Sequence, residues 1–416
     1  MDDIASLREK YRTDLLNDTV PFWLNHALDR EHGGYYTSVA RDGTLTDSDK
    51  SVWFQGRFAW LLSTLSADVE ANAAHRDQWT VAAKSGIEFL QRYGFAPDGQ
   101  MYFTVTSDGK PLRLRRYVFS EMFAVMAMAA FARATSDVQL LATAFELREQ
   151  TYALIEAGEL PQKTNSTTRP LKGLALPMIG IVVGQELRRA IQSVTPNDNS
   201  RIDAVTSDID AMIDEIERDF LNEEFQSVME TVGPNGEFID HVDGRTINPG
   251  HAIEAAWFVL EESRLRRLGR SSGQSIDDAK CEHLVQLGLK ILDWSWKWGW
   301  DSDHGGIIYF RDVRGLPVQE YWHDMKFWWP QNEAIIATLL AYECTGEPKY
   351  LQWHSMAHDW AHEHHADPKF GEWYGYLHRD GRISSTAKGT MWKGPFHLPR
   401  MQLVCWQTCD RLLSNA

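Results

Sequence analysis

Two kinds of helical pattern alternate along this chain. One kind is apolar almost all round: Val52–Leu65, Tyr117–Ala134, Gly173–Leu187, Gly250–Leu265, Pro330–Tyr342 and Pro395–Leu412. The other kind carries a polar face: Ile4–Leu28, Ala73–Tyr93, Val138–Glu156, Ile202–Leu221, Ile276–Lys297 and Pro348–His365. A helix apolar on every side must be enclosed, whereas one with a polar face can lie outside. Six enclosed helices alternating with six outer ones predict an all-α (α/α)6 barrel.

Short alternating stretches ending in a turn glycine punctuate the same order. His32–Gly43, Tyr102–Gly109, Phe225–Gly236, His304–Gly315 and Trp373–Gly381 all read as hairpins. Gly43 and Gly109 are 66 residues apart, as are Gly315 and Gly381. A fixed period marks a repeat architecture. The gap between Gly109 and Gly236 leaves room for one more unit, its hairpin reduced to a polar loop near Gln162–Lys172. Each hairpin leads from an outer helix to an inner one, so the hairpins and the inner-helix N-termini share one end.

With 416 residues and no long Pro/Gly/Ser-rich linker, residues 1–416 read as one barrel domain; the nearest candidate linker is the polar loop Leu268–Gln274. The net charge of -16 argues against nucleic acid or an anionic membrane as the main partner. The N-terminus is acidic and amphipathic, unlike a signal peptide, and no apolar run suffices to span a bilayer. The four cysteines form no CxxC pair, which suits the cytoplasm. Seventeen Trp and 15 His are many for this length; they fit sugar recognition and also a large helical core.

The first turns of the enclosed helices hold unexpected polar residues. These are Gln55 and Arg57, then Tyr117, Ser120 and Glu121, then Arg169 and Lys172. His251 and Glu254 follow, then Glu333, then His397 and Arg400. A barrel would aim them at one axial pocket, where helix N-termini favour negative charge. Two histidines on opposite walls can serve as base and acid on the two faces of one carbon. Arg57 or Lys172 can hold an enediolate oxygen. Glu254, three residues after His251, is placed to orient it, and Glu333 can bind a sugar hydroxyl. The set suits proton abstraction beside a carbonyl.

Three segments carry a family resemblance: Asn248-Pro-Gly-His-Ala-Ile-Glu254, Lys326-Phe-Trp-Trp-Pro-Gln-Asn-Glu333 and Lys393-Gly-Pro-Phe-His-Leu-Pro-Arg400. They resemble the signature segments of the N-acylglucosamine 2-epimerase family, which also includes renin-binding protein, cellobiose 2-epimerases and some aldose–ketose isomerases. The resemblance implies an (α/α)6 barrel, proton transfer by His251 and His397, and substrate binding or orientation by Arg57, Glu254, Glu333 and Arg400. The segment Leu171–Met178 is similar to the N-acylglucosamine branch and adds Lys172 to that set. The family further implies a homodimer acting on a sugar with no required cofactor, and ATP as a possible activator that is not hydrolysed.

The expected activity is therefore 2-epimerisation between N-acetylglucosamine and N-acetylmannosamine. Its rivals are a mannose–fructose type isomerase or a cellobiose-type epimerase in the same pocket. A glycoside hydrolase would need two carboxylates around a glycosidic oxygen. A non-catalytic binding protein would not need both histidines. Three further patterns read as packing: the row His354, His358 and His362, the pair Cys405 and Cys409, and Trp294, Trp296, Trp298 and Trp300.

Overall fold

The computed structural model describes residues 2–114, 117–158, 167–268 and 277–414. Residues 162–166 of the expected polar loop, residues 269–274 of the other loop, and Ile276 lie outside them. The first outer rod is α1 (Asp2–Thr13) and α2 (Val20–His26), joined by the π-helical stretch Asp14–Thr19. Inner and outer helices then alternate. They run α3 (Val52–Asp68), α4 (Ala73–Tyr93), α5 (Phe119–Thr135), α6 (Val138–Glu156), α7 (Ala175–Val194) and α8 (Asn199–Glu215). After the single turn α9 (Val242–Arg245) come α10 (Pro249–Leu268), α11 (Asp278–Gly299), α12 (Trp328–Thr345), α13 (Pro348–His365) and α14 (His397–Ser414).

The inner ring is α3, α5, α7, α10, α12 and α14, each packed on the next. Phe396, just before α14, meets Trp60 of α3 and closes the circle. Burial follows the sequence pattern. Every residue of α12 from Trp328 to Ala341 is buried, whereas α4 buries one face through Trp79, Ala82, Ala83, Gly86, Ile87, Phe89 and Leu90. The (α/α)6 barrel expected from the repeat is the fold observed. Among the described residues, no helix is long and apolar enough to cross a membrane.

The hairpins build a second ring on the end of the barrel. Two-residue strands at the approach to the inner helices pair with the hairpin of the following unit: Lys50–Ser51 with Thr104–Val105, Lys172–Gly173 with Thr231–Val232. Thr246–Ile247 does so with Arg311–Asp312, and Lys326–Phe327 with Tyr376–Leu377. A bridge between Val39 and Gly389 links the last unit to the first. The turn glycines Gly43, Gly109, Gly236, Gly315 and Gly381 all have φ between 72° and 87°, a left-handed conformation that costs glycine little.

Side-chain caps are commoner on the outer helices, although Asn248 caps the inner α10 and the outer α13 has none. Asn72, Asp137, Asp198 and Asp277 each accept the backbone N–H three residues on, opening the outer helices α4, α6, α8 and α11. The inner helices α3, α5, α7 and α12 have no side-chain cap. Helix N-termini at the collar end favour an anion or a developing oxyanion.

The polar residues at the inner-helix starts divide into two groups. Gln55 Oε1 accepts from Tyr35 N at 2.7 Å while its Nε2 donates to Tyr35 O at 2.8 Å. Gln331 holds Ile307 in the same way, at 2.7 and 2.9 Å. Glu121 accepts from Met101 N at 2.7 Å. Gln55 and Glu121, expected to face the axis, instead clamp the collar. Lys50, Lys326 and Lys388 are wholly buried and brace the loops of their own units, through Asp29, Asp301 and Asp367. The histidine row is packed: the Tyr11 hydroxyl meets His354 Nε2 at 3.0 Å and His358 Nδ1 at 2.7 Å. All four cysteines are free thiols, and Trp296 stacks between Trp300 and Trp353.

Candidate active site

Four of the expected residues meet at the axis in one buried network. Arg400 donates through a single terminal nitrogen to both Glu254 and Glu333, the latter at 2.7 Å. The same Glu333 oxygen lies 2.7 Å from His397 Nδ1. Its other oxygen accepts from Trp257 Nε1 at 2.7 Å. His397 and Arg400 are three apart on α14 and so point the same way. Glu254 comes from α10 and Glu333 from α12, so three inner helices converge. Glu254, Glu333 and His397 offer donor atoms within 4.8 Å of one another, close enough for one cation. The Arg400 guanidinium already balances the two carboxylates there.

His251 opens α10, with its backbone N–H capped by Asn248 at 3.2 Å. Its ring stacks on Trp329 at 4.9 Å between centroids, and His397 faces the same indole at 5.7 Å. The two histidines thus pack against the same indole. His251 Nδ1 lies 3.0 Å from both oxygens of Glu230. Glu254 therefore does not orient His251, as its spacing suggested, because Arg400 holds it across the axis. Glu230 was missed by the sequence reading. The only signal was its place in the hairpin Phe225–Gly236, one residue before a collar strand.

Arg57 completes the cluster from α3. Its guanidinium lies over Trp53, Phe123 and Phe396, at 4.4, 4.1 and 4.7 Å from the ring centres. Its Nε is buried with no hydrogen-bond partner. Trp53, Arg57, Trp392, Phe396 and His397 line one narrow pocket. Lys172 is placed elsewhere. It turns to the outer ring, 3.1 Å from Glu215 and 2.5 Å from Asp219, because those acids lie beside its strand. Arg169 pairs with Asp243 at 2.9 Å.

The electrostatics separate the two histidines. Burial and the adjacent Arg400 push the His397 pKa well below the ordinary value, which keeps its imidazole neutral. Burial also opposes charge on His251, but Glu230, then Glu254 and Glu333, outweigh it and raise the pKa. Burial raises Glu333 despite Arg400, and it lowers Arg57 despite the attraction of Glu254. Each histidine has its Nδ1 against a carboxylate, Glu230 for His251 and Glu333 for His397.

Comparison with known proteins identifies the family and the fold. The family model of N-acylglucosamine 2-epimerase (GlcNAc 2-epimerase) matches residues 34–397. The N-acylglucosamine 2-epimerase of Bos taurus is 35% identical over 410 residues, covering 96% of this chain and 90% of that protein. The Homo sapiens enzyme is 34% identical over 405 residues, covering 96% and 90%. In fold, the cellobiose 2-epimerase of Spirochaeta thermophila superposes with a TM-score of 0.79 at 20% identity, over 99% of each chain. On the match along its length and on its barrel, this chain belongs to the N-acylglucosamine 2-epimerase family and is an isomerase.

Proposed function

We propose that the protein interconverts N-acylglucosamine and N-acylmannosamine at C2, with N-acetylglucosamine and N-acetylmannosamine as the pair. The observation that carries the reading is that His251 and His397 both pack against Trp329, each with its own carboxylate. On the open-chain sugar, neutral His397 takes the C2 proton through Nε2. The C–H electron pair moves into the C1–C2 bond, and the carbonyl oxygen becomes an enediolate oxygen. Arg57, beside a collar of uncapped helix N-termini, stabilises that charge. His251 then delivers its Nε2 proton to the opposite face of C2, and the aldehyde re-forms. The reverse direction exchanges the two roles.

Glu230 and Glu333 are positioning residues, and Glu254 and Arg400 fix Glu333. A glycosidase reading has less support, because one Arg400 nitrogen lies between Glu254 and Glu333, where a leaving-group oxygen would have to enter. Identity near 35% to epimerases favours epimerisation over aldose–ketose isomerisation. The proposal includes a cytoplasmic homodimer that needs no cofactor, with ATP as an activator that is not hydrolysed. Light scattering and assays with and without ATP test those two parts.

The central test is proton NMR in D2O with N-acetylmannosamine, beside tubes of mannose and cellobiose. Formation of N-acetylglucosamine carrying deuterium at C2 is the expected result. Fructose from mannose, with the acetamido sugar untouched, would overturn the substrate and leave the barrel chemistry.

A further inference from the structure

A second cavity, of about 310 Å³, lies on the outer side of α14. Its walls include Asp14 and Asp18 of the π-helical stretch, His362 at the end of α13, Glu372 and Trp373 of the last hairpin, and Gln402 of α14. Gln402 follows Arg400 by two residues, so the same helix turn that aims Arg400 at the axis aims Gln402 away from it.

Two lining side chains are only 1% exposed and yet carry an unsatisfied oxygen. They are Glu372, through Oε1, and Gln402, through Oε1. A buried acceptor left unpaired is costly unless something binds there. His362 Nε2 faces Asp14 at 3.6 Å. Glu372 has a second oddity. It sits five residues after the clamp aspartate Asp367, where the first and fifth units have Gly34 and Gly306. All three positions are left-handed, with φ of 55°, 68° and 73°. A β-carbon at Gly34 or Gly306 would strike Phe89 or Trp360. In the last unit a carboxylate takes that strained position in the cavity wall.

The charge balance favours a cationic guest. Asp14 is met by Lys10 at 3.0 Å, Asp367 by Arg41 and Lys388, and the inner oxygen of Glu372 by Lys393. Asp18 accepts only the backbone N–H of Glu372 at 3.0 Å. Burial, with Glu372 and Asp14 nearby, raises its pKa from the ordinary value, and the Glu372 N–H and Lys388 only partly oppose this. The acids here are too dispersed to grip a single ion. Among the described residues, only Glu254, Glu333 and His397 come together closely enough for that.

We propose that this cavity binds a small organic ammonium compound, with Asp18 and Glu372 Oε1 taking its charge and Gln402 a further donor. A chain of contacts also joins the cavity wall to the catalytic pocket. Lys393, which Glu372 holds, lies 5.8 Å from the Trp328 ring, and Trp328 packs edge-on against His397 at 6.0 Å.

The test is calorimetric titration of the full-length His397→Asn chain, which cannot turn over substrate, with D-glucosamine and separately with putrescine. Either amine should bind, and the tighter of the two identifies its source. Asp18→Asn keeps the acceptor for Glu372 N but removes the charge, and should weaken binding about tenfold or more, the worth of one charge-assisted hydrogen bond. Gln402→Leu should weaken it independently. N-acetylglucosamine, which is neutral, should bind with an affinity that neither variant changes. No amine binding to the parent, or binding unchanged in both variants, would overturn the proposal. Magnesium binding that Asp18→Asn abolishes, with both amines inert, would overturn the organic-cation assignment.

Discussion

His251 Nδ1 lies 3.0 Å from each oxygen of Glu230, a hairpin residue from outside the inner ring. The collar therefore reaches the candidate site as well as closing the barrel. Glu230 raises the His251 pKa against the effect of burial. When His251 acts as the acid it must carry a proton, so activity in that direction falls as pH rises through the raised pKa. Removing the carboxylate lowers that pKa. Glu230→Gln should move the basic limb of the kcat/KM profile to lower pH and cut kcat about 10- to 100-fold, the scale seen when a histidine loses its orienting carboxylate. An unmoved limb would mean that Glu230 is only structural.

The two-histidine arrangement separates proton removal from proton return. His397→Asn should abolish epimerisation, a loss of at least about 100-fold. It should stop C2–H exchange with D2O for one epimer and leave it for the other. His251→Asn should show the converse preference. Both exchange rates are read by NMR on each pure epimer. If either variant exchanges both epimers at parental rates, a single base serves both faces and the proposed mechanism is wrong.

The barrel was legible because helices apolar all round cannot be confused with outer ones, and because the turn glycines repeat at 66 residues. His251, Glu254, Glu333, His397, Arg400 and Arg57 were legible as charged groups in apolar helix starts. Partnership was not legible. His251 and Glu254 are three apart on one helix, yet Glu254 answers to Arg400, which is 146 residues away. Gln55 and Lys172 follow the same logic. Each is polar at the right helix start, but the side chain turns to the collar or outer ring, where a backbone amide or an acid is nearer. Spacing along the chain defines a face, and the contacts across the ring decide what that face does.

Arg57 sits between three aromatic rings near Glu254 and Glu333. A flat guanidinium can lie against those rings while donating to an oxyanion; a lysine ammonium offers neither the plane nor the fork. Arg57→Lys should lower kcat about 100-fold or more, the cost of one lost oxyanion donor, with a smaller change in KM. Steady-state assay in both directions checks this. A large rise in KM with kcat intact would place Arg57 in ground-state binding instead.

The collar clamps make a separate prediction about stability. Lys50 is fully buried and donates to Asp29 at 2.6 Å, to Gly33 O at 2.7 Å and to Ser107 O at 3.0 Å. Its removal leaves an uncompensated carboxylate and two carbonyls without a donor. Lys50→Met should cost about 3–5 kcal/mol, as expected when one partner of a buried pair is lost. Lys172 is a quarter exposed and shares its two acids with solvent and with Arg218. Lys172→Met should cost about 1 kcal/mol or less and leave kcat within about twofold, since nothing in the Arg400 cluster touches it. Urea titrations of the two variants beside the parent compare the costs directly. A catalytic defect in Lys172→Met without loss of stability would return that lysine to the pocket.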